Sequence, residues 1–200
     1  MENNVREESG LKFQFPENET VIKFDDTKFY RDYFNKLPNA KGVDFISVDK
    51  YKIAFIEVKN CIGDEGNCRW RIAPNNQKRN KTHTSVNVEG RDSLDIEMAQ
   101  KTAMTIAALI GAKSFGDTKE CLCELREYIQ FLSKDAFSDN SKKKYVILFL
   151  EGDFGGKTRS KKMIMKALQD SINKKLKWIN CRVSVVDSDT YNTKLFQIVS

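Results

Sequence analysis

The chain has 200 residues, 40% of them hydrophobic and 31% charged, with a net charge of +6. That length suits one domain with its own core, and the composition excludes wholesale disorder or a fold that depends on disulfide or metal staples. No apolar run approaches the roughly 18 residues of a membrane span, and residues 1–10 lack the apolar core of a signal peptide, so a cytoplasmic protein without a membrane partner is expected.

Along the chain, residues 1–10 read as a flexible tail. Short extended segments follow at 11–15 and 20–24. A helix is expected from Asp25 or Asp26 to Leu37, with Phe29, Tyr30, Phe34 and Leu37 at helical spacing and Pro38 ending it. Segments 43–48 and 51–59 are rich in β-branched and aromatic residues and are separated by Asp49-Lys50, which predicts a hairpin with a two-residue loop. A long polar excursion occupies about 60–92. A helix over 93–110 would bury Ile96, Ala99, Ala103, Ile106 and Ile110, and a second is expected over 118–137. Residues 145–150 form an all-apolar strand of the kind buried on both faces. The helix expected over 157–178 turns Ile164, Leu168, Ile172, Leu176 and Ile179 to the core. A last strand at 182–186 precedes a short tail with room for a helical turn. The order predicts a single α/β domain over 11–200, a mixed central sheet flanked by helices.

Five cysteines and a single histidine, His83, leave little for metal-thiolate or histidine chemistry. The cysteine spacings match no zinc knuckle, and five free thiols in a reducing compartment are expected. His83 lies in a polar stretch and reads as a solvated side chain.

Charge is unevenly distributed. Residues 141–182 hold twelve Lys/Arg against Glu151, Asp153 and Asp170, and residues 66–88 hold Arg69, Arg71, Lys78, Arg79 and Lys81 with no acid. Such blocks attract polyanions, nucleic acid first. Trp70, between Arg69 and Arg71, suits either stacking on a base or plugging the long loop onto the core.

The chemistry concentrates on the hairpin. With a two-residue loop, Asp44 faces Phe55, and strand alternation places Asp44, Ile46 and Val48 on one face with Tyr51, Ile53, Phe55, Glu57 and Lys59. Asp44 and Glu57 are then diagonal neighbours at the charged open end of a strand pair that is otherwise apolar on both faces. Charges there are costly unless compensated, and Mg²⁺ (or Mn²⁺), which favours carboxylate and phosphate oxygens, would compensate them. Lys59 returns to the same face, where it can act on an attacking water or on a phosphate.

Gly42-Val43-Asp44 followed by Ile53-Ala54-Phe55-Ile56-Glu57-Val58-Lys59 resembles the core of the PD-(D/E)xK nuclease superfamily, with Val43 in place of the proline. The resemblance implies a restriction-endonuclease-like core. It also implies Asp44, Glu57 and the Val58 carbonyl as metal ligands, and Lys59 as the catalytic lysine. Glu97-Met98-Ala99-Gln100-Lys101 resembles the Glu-x-x-Gln-Lys helix of some members, which implies that Glu97, Gln100 and Lys101 point toward the metal. Nucleic-acid contacts are then expected from Arg69, Arg71, Lys78, Arg79, Lys81, Lys157 and Arg159, DNA being the expected polymer. A homodimer would supply the two sites of a double-strand cut. The alternative is a catalytically inactive module of the same fold that binds nucleic acid or a protein.

The run from Gly152 to Thr158 imitates a phosphate-binding loop that ends Gly-Lys-Thr. It is one residue short between the first glycine and that ending, and Glu151 and Asp153 would repel phosphate. A plain turn is expected instead, ahead of a glycine turn that presents Lys157 and Arg159 to a nucleic-acid backbone.

Overall fold

The computed structural model of the chain describes residues 4–77, 91–116, 119–133, 137–156 and 158–199. Its N-terminal segment is paired rather than frayed. Strand β1 (Val5–Glu8) turns through Ser9 and Gly10, both at positive φ, into β2 (Leu11–Gln14). Strand β3 (Thr20–Lys23) leads into a short 3-10 turn, and Thr27 then caps α1 (Lys28–Asp32) by accepting the Tyr30 N–H. The single helix expected to reach Leu37 is therefore broken into short pieces, because Thr27 uses its own side chain as a cap partway along.

Strands β4 (Phe45–Val48) and β5 (Lys52–Asn60) form the hairpin, with a register two residues from the expected one. Val48 pairs with Ile53 rather than Tyr51, and the turn is centred on Lys50-Tyr51. Asp49 builds it: its Oδ1 accepts the amides of Tyr51 at 2.7 Å and Lys52 at 2.8 Å. A shift of two preserves parity, so every residue keeps its expected face.

The polar excursion contains a helix, α2 (Glu65–Arg71), missed from its composition. Cys61 and Cys68 are joined by a disulfide that ties α2 to the end of β5, which corrects the expectation of five free thiols; Cys121, Cys123 and Cys181 are free. Helix α3 (Leu94–Ala112) is followed by a 3-10 stretch and α4 (Arg126–Ser133), shorter than the expected 118–137. Strand β6 (Lys143–Glu151), α5 (Lys161–Lys175) and β7 (Arg182–Val186) follow, with Ser160 capping α5. All five apolar residues expected on the last helix's inner face are buried. The tail forms a strand, β8 (Gln197–Val199), instead of a helical turn.

The main sheet is mixed, with strand order β3-β4-β5-β6-β7, antiparallel up to β5 and parallel from β5 onward. Alternation sends Ile46, Ile53, Phe55, Val146, Leu148 and Val183 to the layer of α3, α4 and α5. The opposite faces send Phe45, Ile56, Val58 and Phe149 to a second core with Phe13, Phe15 and Phe196. Helices therefore cover one face, while the small sheet β1-β2-β8 and its phenylalanines cover the other. No described helix is long and apolar enough to cross a membrane.

Helix α3 presents a different stripe from the expected one. Leu94, Met98, Thr102, Thr105, Leu109 and Ala112 are buried, while Ile110 is exposed. Two threonines conceal this stripe from a hydrophobicity count. Thr105 accepts the Val43 N–H at 3.1 Å, so its hydroxyl satisfies a buried backbone donor. The helix is also anchored at its start by Asp95, fully buried. Asp95 accepts from Ser93 Oγ at 2.5 Å, Ser171 Oγ at 2.7 Å and Lys175 Nζ at 2.7 Å, which joins α3 to α5.

Burial alone would raise the Asp95 carboxyl, but bonds from Lys175, Ser93 and Ser171 hold it below its ordinary 3.8. Asp95→Asn should therefore cost about 2–4 kcal/mol at neutral pH, read by chemical denaturation. A depressed carboxyl stabilises fully above the unfolded value and ceases to do so as pH falls through the lower folded value. The two denaturation curves should draw together as pH falls below 3.8 and through the lowered folded value. A gap that stays constant throughout that acid range would show that Asp95 does not act as an ion.

The disulfide has a direct test. Protein purified without reductant and alkylated in denaturant should take up three groups, and five after reduction, by intact mass. Five groups without reductant would break the pairing.

Candidate active site

Extending the pairing of Phe45 with Ile56 by one step sets Asp44 directly opposite Glu57 at the open end of the hairpin. This is closer than the diagonal relation expected from the sequence. Gly42 admits the approach to Asp44, since a Cβ there would lie 2.6 Å from Phe24 Cδ1. The Asp44 carbonyl accepts the Phe24 N–H at 3.1 Å, and Asp44 Oδ2 accepts the Val58 N–H at 2.7 Å. The backbone of β5 thus fixes the Asp44 carboxylate, leaving Oδ1 to face the cluster.

Glu57 is only 1% exposed. Lys101 Nζ donates to both of its oxygens, at 2.7 and 2.8 Å, and lies 3.5 Å from Asp44 Oδ1. Lys59 Nζ sits 2.5 Å from Glu57 Oε1 and 3.4 Å from Glu97 Oε1. Arg71 Nη2 is 2.5 Å from Glu97 Oε2. Glu97 and Lys101, four residues apart on α3, lie along one edge of its buried stripe and so reach the hairpin together. Three carboxylates and three cations interlock at one end of the sheet.

Burial pushes the Glu57 carboxyl up to about 7, with Asp44 adding to the rise and Lys59 and Lys101 opposing it. Burial would depress Lys101, but the charges of Glu57 and Asp44 outweigh that and hold it above its ordinary range. One contact therefore stands between two raised groups. Lys101 stays an ammonium, and Glu57, the more deeply buried partner, bears the greater desolvation. Burial would also raise Glu97, but Lys59, Arg71 and Lys101 hold it below the usual carboxylate range.

Of the residues expected at the site, Asp44, Glu57, Lys59, Glu97 and Lys101 come together. Gln100 does not, since its Oε1 accepts from Lys41 Nζ at 3.0 Å on the surface. The Val58 side chain packs into the core on the far face, while its backbone N–H and carbonyl lie on the Asp44 edge of β5. Arg71, expected on nucleic acid, is paired with Glu97 in the cluster. Its role was hidden because α2 and the disulfide bring it back to the sheet end from within the excursion.

Arg69 and Arg159 line a surface pocket of about 390 Å³ with Phe154, Gly155 and Gly156. Lys78, Arg79, Lys81, Lys157 and His83 lie outside the described residues. The half-buried Trp70 donates its indole N–H to the Arg91 carbonyl at 3.2 Å, at the far end of the excursion. In the turn after β6, the Gly155 N–H goes to Asp153 Oδ1 and the Gly156 N–H to the Arg159 carbonyl. Both amides are engaged within the turn, as expected for a turn that is not a phosphate loop.

Among the described residues, no three His, Cys, Asp or Glu side chains converge to hold a metal. The hard oxygens of Asp44 and Glu57 nevertheless meet at one position, and the Lys101 ammonium stands there as a cation would. That donor set fits a divalent ion whose shell is completed by water, the Val58 carbonyl or a phosphate oxygen.

No curated protein and no solved structure matches the chain. A family model does match, over residues 27–200, which include every residue of the cluster. The chain belongs to that family, described as a family of unknown function (DUF6661).

Proposed function

We propose that this chain is a metal-dependent nuclease with a restriction-endonuclease-like core, cleaving phosphodiester bonds of nucleic acid, DNA in the first instance. The observation that carries the reading is the opposition of Asp44 and Glu57 at the end of a buried hairpin, with Lys59 on the same face. A buried carboxylate pair costs several kcal/mol unless a cation compensates it, and a fold has little reason to keep one for stability alone.

In this reading Asp44 and Glu57 would hold Mg²⁺ or Mn²⁺, which when bound polarises a phosphate oxygen and lowers the pKa of a bound water. Lys59, 22% exposed at its side chain, offers N–H donors that orient the attacking water and offset charge at phosphorus. Arg71 keeps Glu97 ionised beside Lys59, which holds that ammonium in place. Arg69 and Arg159, at the same end of the parallel strands, would hold the backbone flanking the cut. A homodimer would bring two such sites to a duplex.

One observation favours the idle binding module as a second reading: Asp44, Glu57 and Glu97 each already have a cation within 3.5 Å. Activity separates the two. Wild type with Mg²⁺ or Mn²⁺ should nick plasmid, and Asp44→Ala, Glu57→Ala and Lys59→Ala should each slow nicking by about 100-fold or more. Variants as fast as wild type would sink the mechanism, and salt-sensitive DNA binding without nicking would establish the module.

The pocket arginines are tested by binding alone. Arg69→Ala/Arg159→Ala should weaken DNA binding about tenfold at low salt and flatten its dependence on salt, because fewer counterions are released. An unchanged salt slope would remove the pocket from the interface.

A further inference from the structure

Resting on that reading, we infer that Lys101 is a built-in occupant of the metal position, a tethered ammonium that a divalent ion must displace before the site can load. Lys101 Nζ is 2.7 and 2.8 Å from the two Glu57 oxygens and 3.5 Å from Asp44 Oδ1. A Mg²⁺ ion needs such oxygens at about 2.0–2.1 Å. The same carboxylates cannot hold both cations, so binding of one releases the other.

Lys59 differs from Lys101 in the respect that matters. It touches Glu57 Oε1 and Glu97, with no contact to Asp44, so it lies beside the paired carboxylates and not between them. Lys101 rises from α3, which is anchored at Thr105 to the strand entering Asp44 and at Asp95 to α5. The helix is thus held still, and only the lysine stem has to swing. Its side chain is 15% exposed, so an outward route exists. The device stores the two carboxylates in a neutralised state without metal, which is how a fold can carry Glu57 at 1% exposure. It also couples loading to substrate, because a displaced ammonium meets the phosphate that arrives with the nucleic acid.

The test is Mn²⁺ binding by calorimetry to the full chain, with no nucleic acid present. Lys101→Met should bind Mn²⁺ at least about tenfold more tightly than wild type, a change of about 1.4 kcal/mol. Lys59→Met removes the same charge from beside the site and should tighten binding about threefold at most, since it frees no position. Asp44→Asn/Lys101→Met should lose the gain. Equal tightening in the two lysine variants would reduce the effect to charge alone and overturn the inference, as would wild-type binding as tight as that of Lys101→Met.

A second readout uses wild type itself, so it does not depend on how the variants fold. Acetylation of Lys101 by an amine-reactive ester, followed by peptide mass spectrometry, should rise severalfold when Mn²⁺ saturates the site, and a Lys101 reactivity indifferent to Mn²⁺ would overturn the inference. Absence of Mn²⁺ binding in wild type and all variants, at millimolar metal, would overturn the metal reading itself along with this one. Tight wild-type binding would leave that reading standing and remove only the displaced lysine.

Discussion

The carboxylate of Glu57 lies at the end of β5, almost wholly removed from water, and the surrounding structure is arranged around that fact. An isolated carboxylate so placed would give up its charge or unfold its surroundings. Here two ammoniums reach it, one from its own strand and one from α3, and burial still leaves its carboxyl raised to about 7. The cluster is therefore compensated but not relaxed. That residual tension separates it from the ordinary surface ion pairs elsewhere on the chain, such as Lys166 with Asp170.

Holding Lys101 in place makes demands far from the site. Helix α3 must present Glu97 and Lys101 along one edge of its buried stripe, which requires burying Thr102 and Thr105 in positions that hydrophobic residues usually take. Thr105 offsets part of that by taking the N–H of Val43, the residue immediately before the Asp44 it helps to place. Asp95 fixes the start of the helix on α5. The polar contacts of α3 thus join the two halves of the sheet, the antiparallel hairpin and the parallel β5-β6-β7 part, through one rigid element.

The hairpin was legible because its signal is local. Alternating β-branched and aromatic residues, Gly-Val-Asp and Glu-x-Lys lie within a short span, and the two-residue error in register preserved every face because strand side chains repeat every second residue. The last helix was legible for the same reason, with Ile164, Leu168 and Ile172 at a clean helical period. Where polar atoms do structural work, the reading went astray. Thr27 cut the first helix by capping, threonines concealed the inner face of α3, and Asp49 set the turn with its carboxylate.

Sequence by itself determined the strand pair, its faces and the residue types gathered at its end, because those follow from neighbours along the chain. Only the tertiary structure decided which cation stands between Asp44 and Glu57, that Arg71 belongs to Glu97, and that Cys61 bonds Cys68. Each of those contacts joins segments whose meeting depends on how α2 and α3 pack onto the sheet end. Packing of that kind is a property of the whole core, and no local spacing encodes it.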